Sequence, residues 1–336
     1  MRRLLLAVPV LVLVLLHGPP ALAWEETGHR IVATVAAQSF PAEIPAFLRT
    51  PQAVMLSSEL TREPDRSKGA GQPHDADLDP GHFVDIDDDG KVLGGPSLSA
   101  LPANRRQYEQ ALQAVKTDSW NAGWLPYNIV DGYQQLVKDF AYWRADGLGA
   151  KHGKTPAQRA WFVRDGRERE QLILRDLGYW SHFVGDGSQP LHASVHYNGW
   201  GDYPNPNNYT QDHIHLPFEG PFVRDNASVA AVKAALPPPH ACGCSPTAET
   251  GQFLLASAAK VEPLYQLWAA GGFKDHDPRG TAFVVERLAA GAAQLRDFVT
   301  EAWRASEDET VGYPGTAVRT IEQSGVIPYD TIYGRD

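Results

Sequence analysis

The sequence predicts an all-α protein built as a single helical domain. Apolar residues recur at spacings of three and four along much of the chain, and the long alternating runs typical of half-buried β-strands are absent. No internal repeat or long low-complexity linker divides the 336 residues, so one domain is the simpler interpretation of this length. Stretches rich in Gly, Pro and Asp separate the helical segments and are predicted as loops.

Residues 1–23 have the pattern of a secretory signal peptide. Two arginines precede a charge-free apolar run at 4–16, and small residues at 21–23 complete a cleavage pattern. The run is too short for a comfortable membrane span, although a retained N-terminal anchor is the alternative. We therefore expect cleavage after Ala23 and a secreted or periplasmic mature domain at 24–336.

Apolar periodicity places the helices at defined segments of the chain. The predicted helices are 28–39, 104–117, 128–144, 156–186, 248–270 and 281–305. The predicted loops are 61–103, 193–212 and 236–247. Long loops in a compact domain tend to carry function, and two of these contain candidate ligands.

The acidic charge balance excludes a protein coated for tight, non-specific binding of nucleic acid. Lys and Arg number 30 against 40 Asp and Glu, which gives a formal net charge of −10. Removal of the two leader arginines makes the mature chain more acidic still. Local positive charge at a metal site is compatible with this balance.

The only cysteines are Cys242 and Cys244, so the fold cannot depend on a disulfide framework. The pair can form a small-ring disulfide in an oxidising compartment or can stay reduced. Glycosylation sequons occur at Asn208 and Asn226, and they matter only where the host glycosylates.

One stretch combines three metal-ligand side chains at useful spacings. His182 and Asp186 are four residues apart, so on a helix they share one face. The glycines on either side of Asp186, together with Pro190, are predicted to interrupt the helix and bring His192 back over that face. Two imidazoles and a carboxylate suit zinc, and the two carboxylate oxygens can bridge two ions. The alternative is a helix end with a stray histidine.

Further candidate ligands precede this motif. Signal cleavage would give Trp24 a free α-amine that can chelate a metal together with its own carbonyl oxygen, and His29 follows five residues on. His82 lies in an extended apolar and acidic stretch, with Asp65 as its candidate carboxylate partner. Three other acids of the same loop compete for that role: Asp75, Asp77 and Asp79.

A second pair of ligands follows the motif. His215 and Glu219 repeat the four-residue spacing of His182 and Asp186. Because Pro217 suits the first turn of a helix, His215 is predicted at the helix start. His213 is the alternative ligand, but its spacing does not place it on the same face as Glu219.

These motifs resemble the zinc-dependent phospholipase C and S1–P1 nuclease superfamily, whose members share an all-helical fold with three zinc ions at the base of a cleft. The resemblance spans residues 24 to 219, in the order of the family's ligands. The matching residues are Trp24, His29, Asp65, His82, His182, Asp186, His192, His215 and Glu219.

The resemblance implies three zinc sites. The first would comprise Asp65, His82, His182 and one oxygen of Asp186. The second would comprise the other oxygen of Asp186, His29 and the Trp24 amine and carbonyl. The third would comprise His192, His215 and Glu219. The ion pair bridged by Asp186 would hold a hydroxide that attacks phosphorus in line, and the third zinc would neutralise the leaving oxygen.

Features that resemble the nuclease branch are more numerous than those that resemble the phospholipases. The spacing from Trp24 to His29 is short, and the long loop before His215 is also nuclease-like. Phe83 and Asp85 stand where nucleases hold a nucleobase. Lys68 stands where that branch usually has an arginine touching phosphate, so it keeps the charge but loses bidentate geometry.

One feature resembles the bacterial phospholipases C instead. Glu219 replaces the Asp usual in nucleases, and the apolar run around it is also phospholipase-like. The expected function is nonetheless a zinc nuclease for single-stranded RNA or DNA that also removes 3′-phosphates. The alternatives are a phospholipase C for phosphatidylcholine-like lipids and a non-catalytic zinc-binding protein. No stable protein partner is implied, and a monomer is expected.

Overall fold

The computed structural model of the protein describes residues 24–66 and 78–334. The expected signal peptide lies outside the described residues, as do Lys68, Asp75 and Asp77. The described chain is mostly helical, which confirms the predicted all-α class. Within it, no helix is both long and apolar enough to cross a membrane.

The helices account for most of the described chain. The α-helices are α1 (Glu25–Ala37), α2 (Pro51–Leu60), α3 (Glu63–Arg66), α4 (Arg105–Ala114), α5 (Ser119–Ala122), α6 (Leu125–His152), α7 (Pro156–Ser188), α8 (His215–Pro217), α9 (Val223–Asn226), α10 (Val229–Ala234), α11 (Pro246–Ala258), α12 (Val261–Ala269), α13 (Pro278–Ala305), α14 (Val318–Ser324) and α15 (Tyr329–Tyr333).

Short turns and one hairpin complete the described architecture. The 3₁₀ turns are Ala46–Arg49, Asp79–His82, Leu98–Ala100 and Pro190–His192, and one π-helical turn covers Phe218–Phe222. Strands β1 (Thr310–Val311) and β2 (Thr316–Ala317) pair antiparallel, with Thr310 opposite Ala317.

The long helices α6 and α7 form the central hairpin of the fold. Thr155 caps α7 by accepting a hydrogen bond from the Gln158 amide, and Pro156 occupies the first helical position, where its missing N–H costs nothing. The two helices pack along their length, and the Trp180 indole donates to the Ile129 carbonyl at 2.8 Å. At 33 residues, α7 is about 50 Å long, so it carries its C-terminal end deep into the molecule.

Helices α1 and α13 pack against this hairpin and complete the main core. Their buried faces are aliphatic: Val32 and Val35 of α1 and Leu288 and Leu295 of α13 have almost no exposed surface. A smaller core forms where Val318 and its neighbours from the C-terminal segment pack on the loop-proximal half of the hairpin. The C-terminal end of α7 is enclosed by these layers, which places its last turns in the interior.

Two local expectations were wrong. The predicted helix 248–270 is divided into α11 and α12, because Pro263 has no N–H to donate and cannot lie in a continuous helix interior. The glycines beside Asp186 do not interrupt α7, which continues to Ser188. They allow close packing instead: a β-carbon on Gly187 would lie 2.6 Å from the Phe253 ring.

Asp146 of α6 is a buried acid for which we predict a pH-dependent effect on stability. Burial raises the pKa of Asp146 to about 8, and the neighbouring Asp165 carboxyl, which shares a hydrogen bond with it, acts in the same direction. The unfolded chain ionises this group near pH 4, so stability is full below that pH and is lost as the pH rises towards 8. We expect Asp146→Asn to raise the melting temperature at pH 8 by at least about 2 °C and to leave it nearly unchanged at pH 4.

Thermal unfolding followed by circular dichroism at the two pH values measures this difference. Asp202→Asn, at an exposed loop position, is the matched control and should have no pH-dependent effect. Equal stabilisation of Asp146→Asn at both pH values would show that charge burial is not the cause.

Candidate metal centre

The last turns of α7 supply the two residues on which the centre is built. His182 and Asp186 lie one turn apart and are both fully buried. The helix ends at Ser188, and the Gln189 amide donates back to the Asp186 carbonyl at 2.9 Å. The 3₁₀ turn Pro190–His192 then reverses the chain, so His192 also enters the interior.

Asp186 presents each carboxylate oxygen to a different histidine. Its Oδ1 lies 3.4 Å from His29 Nε2, on α1, and its Oδ2 lies 3.1 Å from His82 Nδ1. The same Oδ2 is 3.4 Å from His182 Nε2. One buried carboxylate thus joins α1, the 3₁₀ turn Asp79–His82 and α7, and its two oxygens are available to two different ions.

Two groups of potential ligands meet around this carboxylate. His29, His182 and Asp186 each offer an atom within 4.8 Å of the others, and so do Asp65, His82 and His182. His182 Nε2 lies 3.7 Å from Asp65 Oδ1 and 3.0 Å from His82 Nδ1. Of the two described candidate acids of this loop, Asp65 belongs to a ligand group and Asp79 does not.

A third group lies where α8 begins. His215 Nε2 is 2.8 Å from Glu219 Oε2 and 3.1 Å from His192 Nε2. His215 is the first residue of α8, as its neighbour Pro217 predicts, and Glu219 lies in the π-helical turn that follows. All three side chains are buried.

Hydrogen bonds to backbone carbonyls fix how two histidines face the centre. His182 Nδ1 lies 2.8 Å from the Thr61 carbonyl, and His192 Nδ1 lies 2.7 Å from the His82 carbonyl. A carbonyl can only accept, so each Nδ1 carries the proton and each Nε2 turns a lone pair inward. Metal-ligating histidines in proteins are oriented in this way.

The donor set fits divalent ions of the zinc type. Nε2 of His192 faces Nε2 of His215 at 3.1 Å, and two inward lone pairs at this separation repel unless a proton or a cation lies between them. Glu219 Oε1 is buried and has no hydrogen-bond partner among the described residues. Imidazole nitrogens with carboxylate oxygens are the ligands that zinc commonly takes.

The charge states of the third group also suit metal binding, which needs neutral imidazole and ionised carboxylate. Burial lowers the pKa of His192, so the ring stays neutral. Burial by itself would raise the pKa of Glu219, but the interaction with the adjacent His215 imidazole outweighs it, and the pKa is lowered to about 2.

Trp24 is wholly buried beside the end of α7. Its indole nitrogen lies 2.9 Å from the Gly185 carbonyl and 2.9 Å from Ser188 Oγ, and its ring packs against Phe218. These contacts flank Asp186 on both sides. The ligand role of the Trp24 amine depends on cleavage after Ala23 and stays a prediction.

A cleft of about 370 Å³ opens onto two of the ligand groups, a size within the range of small-molecule sites. Its lining includes His82, from the group with Asp65 and His182, and both histidines of the third group, His192 and His215. The lining residues are Asp79, His82, Phe83, Asp85, Trp120, Asn121, Leu191, His192, Tyr197 and His215. Phe83 and Asp85 therefore lie together in the cleft, as their predicted role requires.

Asp85 is a half-buried acid on the cleft wall. Burial raises the pKa of its carboxyl to about 8. The carboxyl is therefore protonated more readily than that of an exposed aspartate, and in its protonated form it can both donate and accept a hydrogen bond. Such a group can pair with the polar edge of a planar ligand without adding negative charge to the cleft.

Several residues of the site are not predictable from the spacing of metal ligands. Gln189 donates from Nε2 to Glu219 Oε2 at 3.0 Å and so orients that carboxylate. Trp120 and Tyr197, each about half exposed, line the cleft. The alternative ligand His213 is exposed and belongs to none of these groups, in keeping with a surface position.

Comparison with protein-family models gave no match, and a search of curated proteins gave none. The geometry of the described residues is therefore the basis for the function proposed below.

The close contact between Gly185 and His29 allows a direct test of the centre. A β-carbon on Gly185 would lie 2.7 Å from His29 Nδ1, so Gly185→Ala must displace the imidazole. We expect the variant to lose at least one bound metal ion per chain while α7 stays helical, because Ala by itself favours a helix. Metal content by mass spectrometry and helicity by circular dichroism measure the two effects.

The matched control is Gly147→Ala on α6. Gly147 lies within a helix, as Gly185 does, but it is exposed, and a β-carbon there would meet no atom within 4 Å. It should keep full metal content and gain up to about 1 kcal/mol of stability. Unchanged metal content in Gly185→Ala would argue against His29 as a ligand.

Proposed function

We propose that the protein is a secreted zinc-dependent phosphodiesterase of the S1–P1 nuclease type that cleaves single-stranded RNA or DNA and removes 3′-phosphates. One observation carries the proposal: three buried ligand groups converge, two of them share His182, and a cleft lined by aromatic and acidic side chains opens onto them. The order of the ligands along the chain, which resembles that family, supports the same proposal.

Three zinc ions are the cofactors that we propose for these groups. Asp65, His82 and His182 would hold the first ion with Asp186, and His29 would hold the second with the other oxygen of Asp186. The third group would hold the last ion. When bound, zinc lowers the pKa of the water that it binds to about 7 and neutralises charge on phosphoryl oxygens.

The chain's own side chains set the charge of the cleft. The ligand groups contain three carboxylates, those of Asp65, Asp186 and Glu219, and otherwise histidines. Three divalent ions would exceed this negative charge, so the cleft would be locally positive in a protein whose net charge is −10. A phosphodiester is therefore drawn to the cleft rather than to the general surface.

The carboxylates also keep the bound ions in place during the reaction. Asp186 is held between His29 and His82, and Gln189 holds Glu219, so neither acid can rotate freely. Fixed ligands of this kind need no reorganisation when charge develops on the phosphoryl oxygens. Lys68 is the proposed additional phosphate contact, and it lies outside the described residues.

The cleft walls favour an unpaired base. Phe83, Trp120 and Tyr197 line the cleft with aromatic side chains suited to stacking, and Asp85 offers a hydrogen bond to a base edge. Bases in a duplex are already stacked and paired, so they cannot enter without being unstacked. Single-stranded nucleic acid is accordingly the proposed substrate class.

A phospholipase C is the second candidate, and the observation that favours it is the glutamate in the third group. Glu219 lies in a π-helical turn, and from there its carboxylate contacts His215. The bacterial phospholipases of the resembled family also have a glutamate as this metal ligand. Because glutamate and aspartate offer the same oxygen ligands, this feature counts for less than the aromatic and acidic cleft walls.

One purified, zinc-loaded sample tests the proposal on two substrates, a single-stranded oligonucleotide and phosphatidylcholine vesicles. We expect phosphodiester cleavage of the oligonucleotide, slower cleavage of its duplex and none of the lipid. Asp186→Asn should lose one metal ion per chain and on the order of 100-fold in activity, because one bridging oxygen is lost.

Cleavage of lipid alone would overturn the nuclease proposal in favour of the phospholipase. Full zinc content without hydrolysis of either substrate would favour a non-catalytic zinc-binding protein. Near-normal turnover in Asp186→Asn would refute its bridging role.

The exposed aromatics of the cleft lead to a separate prediction. Trp120 is 48% exposed and Tyr197 is 50% exposed, so either can stack on a base without rearrangement. Stacking contributes about 1–3 kcal/mol per base, so Trp120→Ala or Tyr197→Ala should raise KM for an oligonucleotide about 5- to 150-fold. Zinc content should not change, because neither side chain belongs to a ligand group.

Steady-state kinetics on a single-stranded oligonucleotide measure this effect. Tyr333→Ala, at a residue 54% exposed on α15, is the matched control and should leave KM unchanged. A KM rise of the same size in the control would show that the effect is not local to the cleft.

A further inference from the structure

The Cys242–Cys244 disulfide lies in the irregular segment between α10 and α11 and takes no part in the cleft described above. Cys244 is exposed and Cys242 is half-buried. Gly243 between them has a positive φ of 63°, and a β-carbon there would meet no atom within 4 Å. Solvent and small molecules therefore have open access to the sulfur–sulfur bond.

This disulfide contributes little to holding the fold together. It joins residues only two apart in sequence, and the stability that a disulfide adds through chain entropy grows with the length of the loop it closes. Neither cysteine belongs to a hydrophobic core cluster. Disulfides that are exposed and structurally dispensable are the ones that exchange readily with thiols.

A buried carboxyl group lies directly beside the two sulfur atoms. Glu249, in the first turns of α11, offers an oxygen within 4.8 Å of both sulfurs and is only 5% exposed. Its Oε1 accepts a hydrogen bond from Gln294 Nε2 at 2.7 Å, and its carboxyl group also shares a hydrogen bond with the Glu301 side chain. An acid in this position can exchange a proton with a neighbouring thiolate.

The protonation state of Glu249 suits that exchange. Burial raises its pKa to about 7, against the lowering effect of the Gln294 hydrogen bond, and the nearby carboxylates of Glu301 and Asp297 raise it further. The carboxyl is therefore partly protonated at neutral pH, where both donation and acceptance of a proton are possible.

The start of α11 also favours a thiolate at Cys244. Ser245 caps the helix by accepting from the Ala248 amide at 3.2 Å, and Cys244 immediately precedes this cap. The partial positive charge at a helix N-terminus lowers the pKa of a nearby thiol. Cys244 thus combines exposure with a setting that stabilises its reduced, ionised form.

We propose that Cys242, Cys244 and Glu249 form a thiol–disulfide exchange site whose substrates are low-molecular-weight thiols of the glutathione type. The site is separate from the proposed hydrolytic centre and does not depend on the function proposed for it. Glu249 donates a proton to the Cys242 sulfur when the disulfide breaks and accepts that proton when the disulfide forms again.

The reaction is balanced in atoms and electrons. The incoming thiolate attacks the exposed Cys244 sulfur, the Cys242–Cys244 bond breaks, and Cys242 leaves as a thiolate that takes the proton of Glu249. A second thiolate then attacks the small-molecule sulfur of the mixed disulfide, the bond from that sulfur to Cys244 breaks, and a small-molecule disulfide leaves. Cys244 departs as a thiolate and takes up the proton that the second thiol gave up. In sum, two thiols are oxidised to one disulfide, and the protein disulfide gains two electrons and two protons to become a dithiol.

Alkylation of the full-length, metal-loaded protein tests the proposal. Without reductant, iodoacetamide should add no label, and after incubation with reduced glutathione it should add two labels per chain by mass spectrometry. Circular dichroism and metal content should stay unchanged throughout. Labelling before reduction, or labelling only in denaturant, would overturn the proposal.

The Cys242→Ser variant traps the intermediate. It leaves one exposed thiol at Cys244 and no partner to displace the adduct, so oxidised glutathione should form a stable mixed disulfide. One glutathionyl group per chain is the expected mass shift. Absence of the adduct, with Cys244 still open to alkylation, would refute the exchange step.

The role of Glu249 is tested by the isosteric change Glu249→Gln. Reduction by glutathione at pH 7 should slow about tenfold, and the inflection in the rate near pH 7 should disappear. The titratable groups around Glu249 are Glu301 and Asp297 of α13 and Tyr133 of α6, and the variant leaves them in place. The control Glu262→Gln, at an exposed position in α12, should keep the wild-type profile.

An unchanged rate and pH profile in Glu249→Gln would remove Glu249 from the site. Because labelling of the cysteines does not use nuclease activity, failure here and failure of the nuclease proposal are distinguishable.

Discussion

The centre depends on one buried carboxylate, that of Asp186, whose two oxygens face histidines from different parts of the chain. Removing a carboxylate from water is expensive unless charge or hydrogen bonds compensate for it. Helix α1, the turn Asp79–His82 and the end of α7 all bring imidazoles to this point. The main core encloses the end of α7. Its packing must therefore place charge-compensating groups beside the Asp186 carboxylate as well as bury apolar side chains.

That requirement couples the fold to its proposed ions. The ligand groups collect carboxylates and imidazoles in a largely buried volume, and the facing nitrogens of His192 and His215 repel unless something positive lies between them. Metal binding in such a cluster is part of the folding free energy, because the unfolded chain has no comparable site. The backbone acceptors at Thr61 and His82 show that the imidazoles are oriented by the fold itself.

Sequence spacing predicts the parts of the site that one element supplies. The pairs His182–Asp186 and His215–Glu219 follow from helical geometry alone, and both pairs come together in the structure. Spacing cannot identify contacts between separate segments of the chain, so it gave no signal for Trp120, on the short helix α5, or for Tyr197, in the loop after α7. The prediction of a helix break at the glycines beside Asp186 was wrong, because the sequence alone does not distinguish a glycine that allows close packing from one that ends a helix.

The cleft walls are positioned separately from the metal ligands. Trp120 lies on α5, which is held to the wall by a hydrogen bond from the Asp85 amide to the Ala122 carbonyl at 2.9 Å. The Leu125 amide, at the start of α6, donates to the Phe83 carbonyl at 3.1 Å and fixes the same wall from the other side. None of these contacts involves a ligand side chain, so a change of wall residue can alter which molecule fits without disturbing the ions. Under the proposed function, the metal centre would determine the reaction, and the wall between Phe83 and Trp120 would determine the substrate.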